Sequence, residues 1–417
     1  MKRYVIEGGR KLEGTTYVSG SKNASLPIIA ATILNGDISK LYNVPNIHDT
    51  KMMYKILEIL GCKVKKQNNK IVIDSSDIKE VEIPENLMQE MRSSVIIAGA
   101  LLARKKEAIF TYPGGCDIGS RPIDLHIKAF EKLGIKVKEE SGYINCKADE
   151  IIGNDIGLDF PSVGATENIM LASVFAKGTT KIINAAMEPE IVDLQNALNS
   201  MGAKISGAGT NNIIIKGVEK LKKLSYNIIP DRIEAGTLLC ATAITGGSIT
   251  LQKVIPEHIE TLTNKLEEME CNLKISKNEI ILKAPKRLKP VDIKTLPYPG
   301  FPTDMQSVLG VTLSVAKGTS VITENIFENR FKYLNELKKM GAKFTTEGRM
   351  AVIRGVRRLS KANVRATDLR GGAALVIAGL NAKGRTTVEN IEYILRGYES
   401  LEKKLQSLGA NICIEDI

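Results

Sequence analysis

Six short, similar segments decide the fold of this 417-residue chain. They are LGCKV at residues 60–64, LGIKV at 133–137, MGAKI at 201–205, MECNL at 269–273, MGAKF at 340–344 and LGANI at 408–412. Their second residues are 73, 68, 68, 71 and 68 positions apart. Such a regular spacing predicts that the chain consists of six copies of one supersecondary unit.

Each copy is predicted to fold as helix, strand, helix, strand, strand. An apolar-periodic helix leads into each marker, as at residues 47–61, and a β-rich run and a small apolar helix lie before it. Five of the six markers have glycine at their second position, which suits the left-handed residue that ends a helix. Two further strands follow each marker.

The sixth copy lacks its last strand because the sequence ends at Ile417. Residues 4–12 (YVIEGGRKL) resemble the last strand of the third copy, residues 213–221 (IIIKGVEKL), so we expect the first strand to complete the sixth copy. Six copies exceed one ordinary core. We therefore expect an α/β protein with two lobes of three copies, residues 21–229 and residues 1–20 with 230–417.

The composition is that of an ordinary globular protein, with 43% hydrophobic and 25% charged residues. Neither a signal peptide nor a membrane-spanning run is evident, so a cytoplasmic protein without a membrane partner is expected. The net charge of +11 favours anionic partners. Nucleic acid is not expected among them, because the chain has no Trp and only 5% aromatic residues for base stacking.

Cys116 is the cysteine that the sequence singles out. The other five, Cys62, Cys146, Cys240, Cys271 and Cys413, lie in predicted strands or helices and are expected to be buried. Cys116 instead follows Pro113-Gly114-Gly115 in a glycine-rich insertion that no other copy has, with Arg121 nearby to lower its pKa. It is a candidate acid or nucleophile, although an incidental loop cysteine remains the alternative. No His or Cys spacing suits a metal.

The starts of the first helices carry cations that the helix dipole disfavours there. These are Lys22, Arg92, Arg232 and Arg370, and the second-helix starts add Arg121, Arg330 and Arg396. Asp and Ser at such positions often serve only as N-caps, but Lys and Arg do not. A bound anion or a facing carboxylate would offset the cost, so the pattern predicts an anion site.

Nine segments together resemble those of a known family. They are SGSKN (19–23), PGGCDIGSRPIDLH (113–126), FPSVGATEN (160–168), EPEIVDLQN (188–196), PDRIEAGT (230–237), PGFPTDMQ (299–306), FENRF (327–331), ATDLRGG (366–372) and RGYE (396–399). In these the chain resembles the UDP-N-acetylglucosamine 1-carboxyvinyltransferases, which are enolpyruvyl transferases. The resemblance implies a two-domain inside-out α/β barrel, with three repeats in each domain and the helices inside.

The resemblance also implies an activity. The family transfers the enolpyruvyl group of phosphoenolpyruvate to the 3′-hydroxyl of UDP-N-acetylglucosamine and releases phosphate, which opens peptidoglycan synthesis. No cofactor is expected. Cys116 would protonate the methylene carbon, could form an adduct with phosphoenolpyruvate, and would react with epoxide inhibitors of the fosfomycin type. Asp304 would accept or orient the hydroxyl proton, and closure of the lobes would bring these groups together.

Further site residues follow from the resemblance. Lys22 is expected to be catalytic together with Cys116 and Asp304, and phosphoenolpyruvate is expected to bind Lys22, Asn23, Arg121 and Arg396. UDP-N-acetylglucosamine is expected to contact Arg92, Arg121, Pro122, Ile123, Asp124, Leu125, Ser162, Val163, Gly164, Asp304 and Ile326. Supporting roles fall to Asp231, Arg330, Asp368 and Arg370. Two positions depart from the family pattern: Ser21 replaces a common Ala, and Phe160 stands where some relatives carry Lys.

Three alternatives remain at this point. A shikimate-pathway enolpyruvyl transferase would share the fold but lacks the glycine-rich cysteine loop. A catalytically inactive anion-binding paralogue is disfavoured by the presence of Lys22, Cys116, Asp304 and Arg396. A nucleic-acid-processing enzyme is disfavoured by the scarcity of aromatic residues.

Overall fold

The computed structural model describes residues 2–67, 69–114 and 123–416. These residues divide into two compact units. One consists of residues 20–114 and 123–229 and is called the Lys22 unit. The other consists of residues 2–19 and 230–416 and is called the Asp304 unit. Cys116, Arg121 and Pro122 lie outside the described residues.

The chain begins with two strands of the Asp304 unit, β1 (Lys2–Glu7) and β2 (Glu13–Tyr17). The Lys22 unit follows. Its helices are α1 (Lys22–Ala31), α2 (His48–Ile59), α3 (Glu85–Glu90), α4 (Ile96–Lys105), α5 (Asp124–Lys132), α6 (Val163–Ser173) and α7 (Pro189–Ser200), with a 3₁₀ turn at Arg92–Val95. Its strands are β3 (Ile38–Tyr42), β4 (Lys63–Gln67), β5 (Lys70–Asp74), β6 (Glu107–Thr111), β7 (Lys136–Glu140), β8 (Tyr143–Lys147), β9 (Asp155–Gly157), β10 (Thr179–Ile183), β11 (Lys204–Ser206), β12 (Asn212–Lys216) and β13 (Leu224–Asn227).

The rest of the Asp304 unit repeats the pattern. Its helices are α8 (Arg232–Thr245), α9 (Glu260–Glu268), α10 (Thr303–Leu313), α11 (Lys332–Lys339), α12 (Leu369–Asn381), α13 (Glu392–Leu395) and α14 (Leu401–Ser407), with a 3₁₀ turn at Pro256–Ile259. Its strands are β14 (Ser248–Gln252), β15 (Asn272–Ser276), β16 (Glu279–Lys283), β17 (Ile293–Lys294), β18 (Thr319–Thr323), β19 (Lys343–Glu347), β20 (Met350–Arg354), β21 (Asn363–Arg365), β22 (Arg385–Glu389) and β23 (Asn411–Asp416).

Each repeat contributes three antiparallel strands to a sheet of its own. In the first repeat β5 lies between β3 and β4, and the same order recurs in the others. In the sixth repeat the central position belongs to β1, which pairs with β22 on one side and β23 on the other. Within the described residues, five of the six sheets gain a short fourth strand, parallel to the repeat's first strand, such as β13 beside β3. The sequence analysis did not predict these fourth strands.

Each unit has a core of its own, formed in large part by the first helices of its three repeats. Every residue of α12 except Asn381 is buried, and α8 is buried along nearly its whole length. Within the Asp304 unit α8, α10 and α12 pack against one another, and within the Lys22 unit α4 packs against α6 and α1. Helices that are apolar on all sides must lie inside a fold. The predicted inside-out α/β architecture is therefore confirmed.

The six repeat markers end their helices as predicted. The five glycines, Gly61, Gly134, Gly202, Gly341 and Gly409, have φ between +81° and +106°. The sixth marker has Glu270 at this position, and Glu270 adopts φ +70° despite its side chain. Backbone geometry is thus conserved across the repeats even where the residue type is not.

No helix within the described part of the chain is long and apolar enough to span a bilayer.

Candidate active site

Lys22 is the first residue of α1, directly after the N-cap Ser21. Ser21 Oγ accepts a hydrogen bond from Ala24 N at 3.3 Å, which an alanine at this position would not provide. The Nζ atom of Lys22 lies 2.7 Å from Oδ2 of Asp49, a carboxylate on α2 that is only 1% exposed. The predicted cost of a cation at a helix start is thus offset by a carboxylate of the protein. Asn23 is partly buried beside it.

Two stretches predicted to contact the nucleotide sugar lie together in the Lys22 unit. Ser162 is the N-cap of α6, so Val163 and Gly164 form its first turn. Asp124 and Leu125 begin α5, whose N-cap is the buried Ile123. The ring of His126 lies close to Gly164, because a Cβ on that glycine would be 3.3 Å from Cε1 of His126. The start of α5 and the start of α6 are therefore neighbours.

His126 is a buried residue that the sequence analysis did not assign to the site. Asn168 accepts a hydrogen bond from Gly99 N and donates through Nδ2 to Val95 O, so its amide orientation is fixed. The same Nδ2 lies 2.8 Å from Nδ1 of His126, which must therefore accept, leaving the proton on Nε2. Burial, together with the positive charge of Arg92, lowers the pKa of His126 to about 3. His126 is neutral at physiological pH.

Asp304 is the second residue of α10 and lies between two guanidinium groups. Its Oδ1 is 2.7 Å from Nη2 of Arg330, and its Oδ2 is 3.0 Å from Nη2 of Arg370. The two arginine side chains are 3% and 4% exposed, whereas the Asp304 side chain keeps 29% of its surface accessible. Two buried cations stabilise the ionised carboxylate, and its accessible part can meet a ligand.

Arg370 is held from several sides. Burial by itself lowers the pKa of Arg370, but the charges of Asp304, Tyr398 and Asp231 and a hydrogen bond with Tyr398 together raise it above its ordinary value. The guanidinium lies over the ring of Tyr398, with 5.5 Å between Cζ and the ring centroid. The hydroxyl of Tyr398 is 2.8 Å from Oγ1 of Thr237 on α8. Arg330 also donates to the carbonyl of Thr303.

The remaining acidic candidates act as helix caps. Asp231 Oδ1 accepts from the backbone N–H groups of Ile233 and Glu234, and Asp368 Oδ1 accepts from those of Arg370 and Gly371. Both residues therefore serve as N-caps, as the sequence analysis noted that Asp at a helix start often does. Asp304 differs, because the N-cap of its helix is Pro302.

Arg396 and Arg92 are placed differently from what the sequence suggested, whereas the sequence suggested no particular placement for Ile326 and Phe160. Arg396 was expected at a helix start, but it is the C-cap of α13 and is partly buried. Ile326 lies two residues after Glu324, and its backbone N–H donates a hydrogen bond of 2.9 Å to Oε1 of Glu324. Arg92 opens a 3₁₀ turn rather than an α-helix. Phe160 is 44% exposed in the loop before α6.

Four cysteines are buried as predicted, but the prediction for Cys413 was wrong. Burial raises the pKa of the thiols of Cys62, Cys146, Cys240 and Cys271 to about 12. Cys413 is exposed because its side chain points outward from β23, which alternates between the two faces of its sheet. Within the described parts of the chain, no three His, Cys, Asp or Glu side chains are grouped as metal ligands would be.

Comparison with known proteins gives concordant results. The family model of EPSP synthase (3-phosphoshikimate 1-carboxyvinyltransferase) matches residues 6–405. UDP-N-acetylglucosamine 1-carboxyvinyltransferase 2 of Caldanaerobacter subterraneus subsp. tengcongensis is 57% identical over 413 residues, covering 99% of both chains. The enzyme of the same name from Clostridium acetobutylicum is 49% identical over 418 residues, with full coverage of both.

Solved structures share the fold at lower sequence identity. The enolpyruvyl transferase NikO from Streptomyces tendae superposes with a TM-score of 0.89 at 24% identity, over 99% of both chains. EPSP synthase from Acinetobacter baumannii superposes with a TM-score of 0.77 at 18% identity, over the full length of both.

Proposed function

Because the chain belongs to the UDP-N-acetylglucosamine 1-carboxyvinyltransferase family, within the wider family of EPSP synthases, we propose that it transfers the enolpyruvyl group of phosphoenolpyruvate to the 3′-hydroxyl of UDP-N-acetylglucosamine and releases phosphate. This transfer is the first committed step of peptidoglycan synthesis. The observation that carries the proposal is the Asp304 carboxylate, held between the guanidinium groups of Arg330 and Arg370 with part of its surface accessible. Such a group suits an incoming hydroxyl.

Phosphoenolpyruvate is proposed to bind Lys22, Asn23, Arg121 and Arg396. The position of Lys22 supports this assignment, because its ammonium is held at a helix start by Asp49. A helix start offers backbone N–H groups and positive potential to an anion. The formal net charge of +11 favours both anionic substrates.

UDP-N-acetylglucosamine is proposed to contact Arg92, residues 121–125 and 162–164, Asp304 and Ile326. The proximity of the α5 and α6 starts across His126 supports two of these stretches acting together. Arg330, Arg370, Asp231 and Asp368 have supporting roles in the proposal. Arg330 and Arg370 contact Asp304 directly. Asp231 caps α8, and Asp368 caps α12, the helix that carries Arg370.

The proposed reaction is an addition followed by an elimination. Cys116 delivers a proton to the methylene carbon of phosphoenolpyruvate, while the sugar hydroxyl, oriented by Asp304, bonds to the adjacent carbon. The hydroxyl proton leaves toward Asp304 or solvent. Phosphate then departs, a proton is lost from the new methyl group, and the double bond re-forms in the product. The same thiol accounts for a phosphoenolpyruvate adduct and for reaction with epoxides of the fosfomycin type.

Each positioned acid or base is expected to contribute about 10²- to 10⁴-fold to the rate. The scheme needs no metal or cofactor, and it places the reaction in the cytoplasm, where phosphoenolpyruvate is formed.

Phosphate release from phosphoenolpyruvate tests the proposal. The purified protein is assayed with UDP-N-acetylglucosamine and, separately, with shikimate 3-phosphate. Release that depends on the nucleotide sugar alone is expected. Release with shikimate 3-phosphate would identify the shikimate-pathway enzyme, and absence of release with either acceptor would leave an inactive anion-binding paralogue.

A further inference from the structure

The residue after the first strand of each repeat provides a comparison between the six copies. In four of them this residue is left-handed, with φ between +54° and +60°. These residues are Asn43, Asn184, Lys253 and Asn390. The second and fifth copies depart from the pattern, with Tyr112 after β6 and Glu324 after β18. The second copy carries the Cys116 loop, so the departure of the fifth indicates a second place where the repeat has been adapted.

Glu324 is fully buried and accepts hydrogen bonds on both carboxylate oxygens. Its Oε1 accepts from the backbone N–H groups of Ile326 at 2.9 Å and Phe327 at 3.2 Å, and from Oγ1 of Thr295 at 2.8 Å. Its Oε2 accepts from Oγ1 of Thr303 at 3.0 Å. A buried carboxylate is costly unless donors satisfy it, and here four donors converge on one side chain.

Thr303 connects Glu324 to the helix that carries Asp304. It is the first residue of α10, and Asp304 is the second. Four of the other five first helices are capped by a side chain, as Ser21 caps α1 and Asp368 caps α12, and only α4 resembles α10 in lacking such a cap. The start of α10 has Pro302 as its N-cap and no side-chain cap. The hydrogen bond from Thr303 to Glu324 is thus a tether at a helix start that lacks a cap of its own.

We propose that Glu324 is a positioning residue that holds the Ile326–Phe327 backbone and the start of α10 in fixed relation to each other. Ile326 is a proposed contact of the nucleotide sugar, and Asp304 is the proposed partner of its hydroxyl. This inference rests on the proposed function, which it deepens. Glu324 touches neither substrate. It sets the distance between the group that binds the acceptor and the group that orients its reacting oxygen.

Three variants test the proposal. Glu324→Ala removes every acceptor, and kcat/KM for UDP-N-acetylglucosamine is expected to fall by about 10²-fold, with a raised KM, as for a misplaced reacting group. Glu324→Gln keeps an oxygen for the two N–H groups and offers its amide to the Thr303 hydroxyl, so activity within about threefold of wild type is expected. Thr303→Val cuts only the link to α10 and is expected to lower kcat with little change in KM.

Hydrogen exchange of the Ile326 and Phe327 amides gives a readout that needs no substrate. Exchange is expected to be faster in Glu324→Ala than in wild type, and unchanged in Glu324→Gln. Lys253→Gly is the matched control, because it alters the equivalent position of the fourth repeat, where φ is +54° and glycine is suited. It is expected to leave kinetics and both amides unchanged.

Slow exchange of both amides in Glu324→Ala would overturn the proposal, as would unchanged KM and kcat in Glu324→Ala and Thr303→Val. Should Glu324→Ala fail to fold, Glu324→Gln and Thr303→Val carry the test on their own. If wild-type protein does not use UDP-N-acetylglucosamine, the proposed function fails, whereas the exchange measurement still decides whether Glu324 positions the loop.

Discussion

The Oδ2 atom of Asp304 lies 3.0 Å from Nη2 of Arg370, and the two residues are 66 positions apart in the chain. Arg330 holds the other carboxylate oxygen at 2.7 Å. Two buried guanidinium groups hold both oxygens of this carboxylate in place and favour its charged form. The geometry therefore favours a role for Asp304 in orienting the attacking hydroxyl, rather than a role as the base that keeps the hydroxyl proton.

Replacement of Asp304 by alanine is expected to lower kcat by at least about 10²-fold. It also leaves Arg330 and Arg370 buried without this carboxylate, so the free energy of unfolding is expected to fall by about 3 kcal/mol. Steady-state kinetics and urea unfolding measure the two effects. Glu347→Ala, an exposed carboxylate at the end of β19, serves as the control. Turnover within about tenfold of wild type would reject the assigned role.

Replacement of Cys116 by aspartate keeps an acid at that position. Substantial activity is expected to remain, while covalent labelling by an epoxide inhibitor is expected to disappear. Mass spectrometry of the labelled protein measures this. Cys413→Ala is the control, because Cys413 is the exposed cysteine among those described and the other four have raised pKa values. Labelling that persists in Cys116→Asp but vanishes in Cys413→Ala would remove Cys116 from the proposed site.

His126 is expected to make stability depend on pH. Its pKa is about 3 in the folded protein, because of burial and Arg92, and about 6.5 when unfolded. The unfolded chain therefore binds the extra proton between these values. The stabilisation is complete above pH 6.5 and is lost as pH falls toward 3. The loss in the free energy of unfolding amounts to about 2 kcal/mol by pH 5.

Urea unfolding of wild type and His126→Gln at pH 7.5 and pH 5 measures this dependence. The difference in unfolding free energy between the two proteins is expected to shrink by about 2 kcal/mol at the lower pH. An equal difference at both values would show that His126 titrates alike in the folded and unfolded chains.

Glu270→Gly is expected to stabilise the protein by about 0.5 kcal/mol. A left-handed conformation costs a residue with a side chain about 1 kcal/mol, and glycine's larger loss of entropy on folding offsets part of the gain. The exposed ion pair with Lys289 contributes little. Gly341→Ala, at the equivalent marker with φ +84°, is expected to destabilise by about 1 kcal/mol or more. Urea unfolding compares the two, and a loss of stability in Glu270→Gly would contradict the account.

Much of the fold was predictable because its signals are local. Helix periodicity and the glycine that ends each second helix recur within every copy, and the structure preserves that backbone geometry even at Glu270. The parallel fourth strands were not predictable. β17 has two residues and β9 has three, too few for a periodic pattern, and their pairing depends on tertiary context.

The candidate site was predictable in its charged residues but not in their partners. Lys22, Arg370 and Asp304 stood out because Lys and Arg are unfavourable at helix starts and because the motifs resembled a family. Asp49 and Tyr398 act through contacts that no sequence spacing indicates. Glu324 had a usable signal, since it replaces the Asn or Lys that follows the first strand in four sibling repeats. Comparison of the copies at that position would have found it.

Turnover in deuterium oxide tests the central chemistry most directly. If the chain adds the acceptor hydroxyl to phosphoenolpyruvate and a proton to its methylene carbon, the methyl group formed in the intermediate takes up solvent deuterium. The enolpyruvyl group of the product then carries deuterium, detected by mass spectrometry and proton NMR, as phosphate is released. A product that contains only protium in its vinyl group, formed while phosphate is released at the normal rate, would contradict the account.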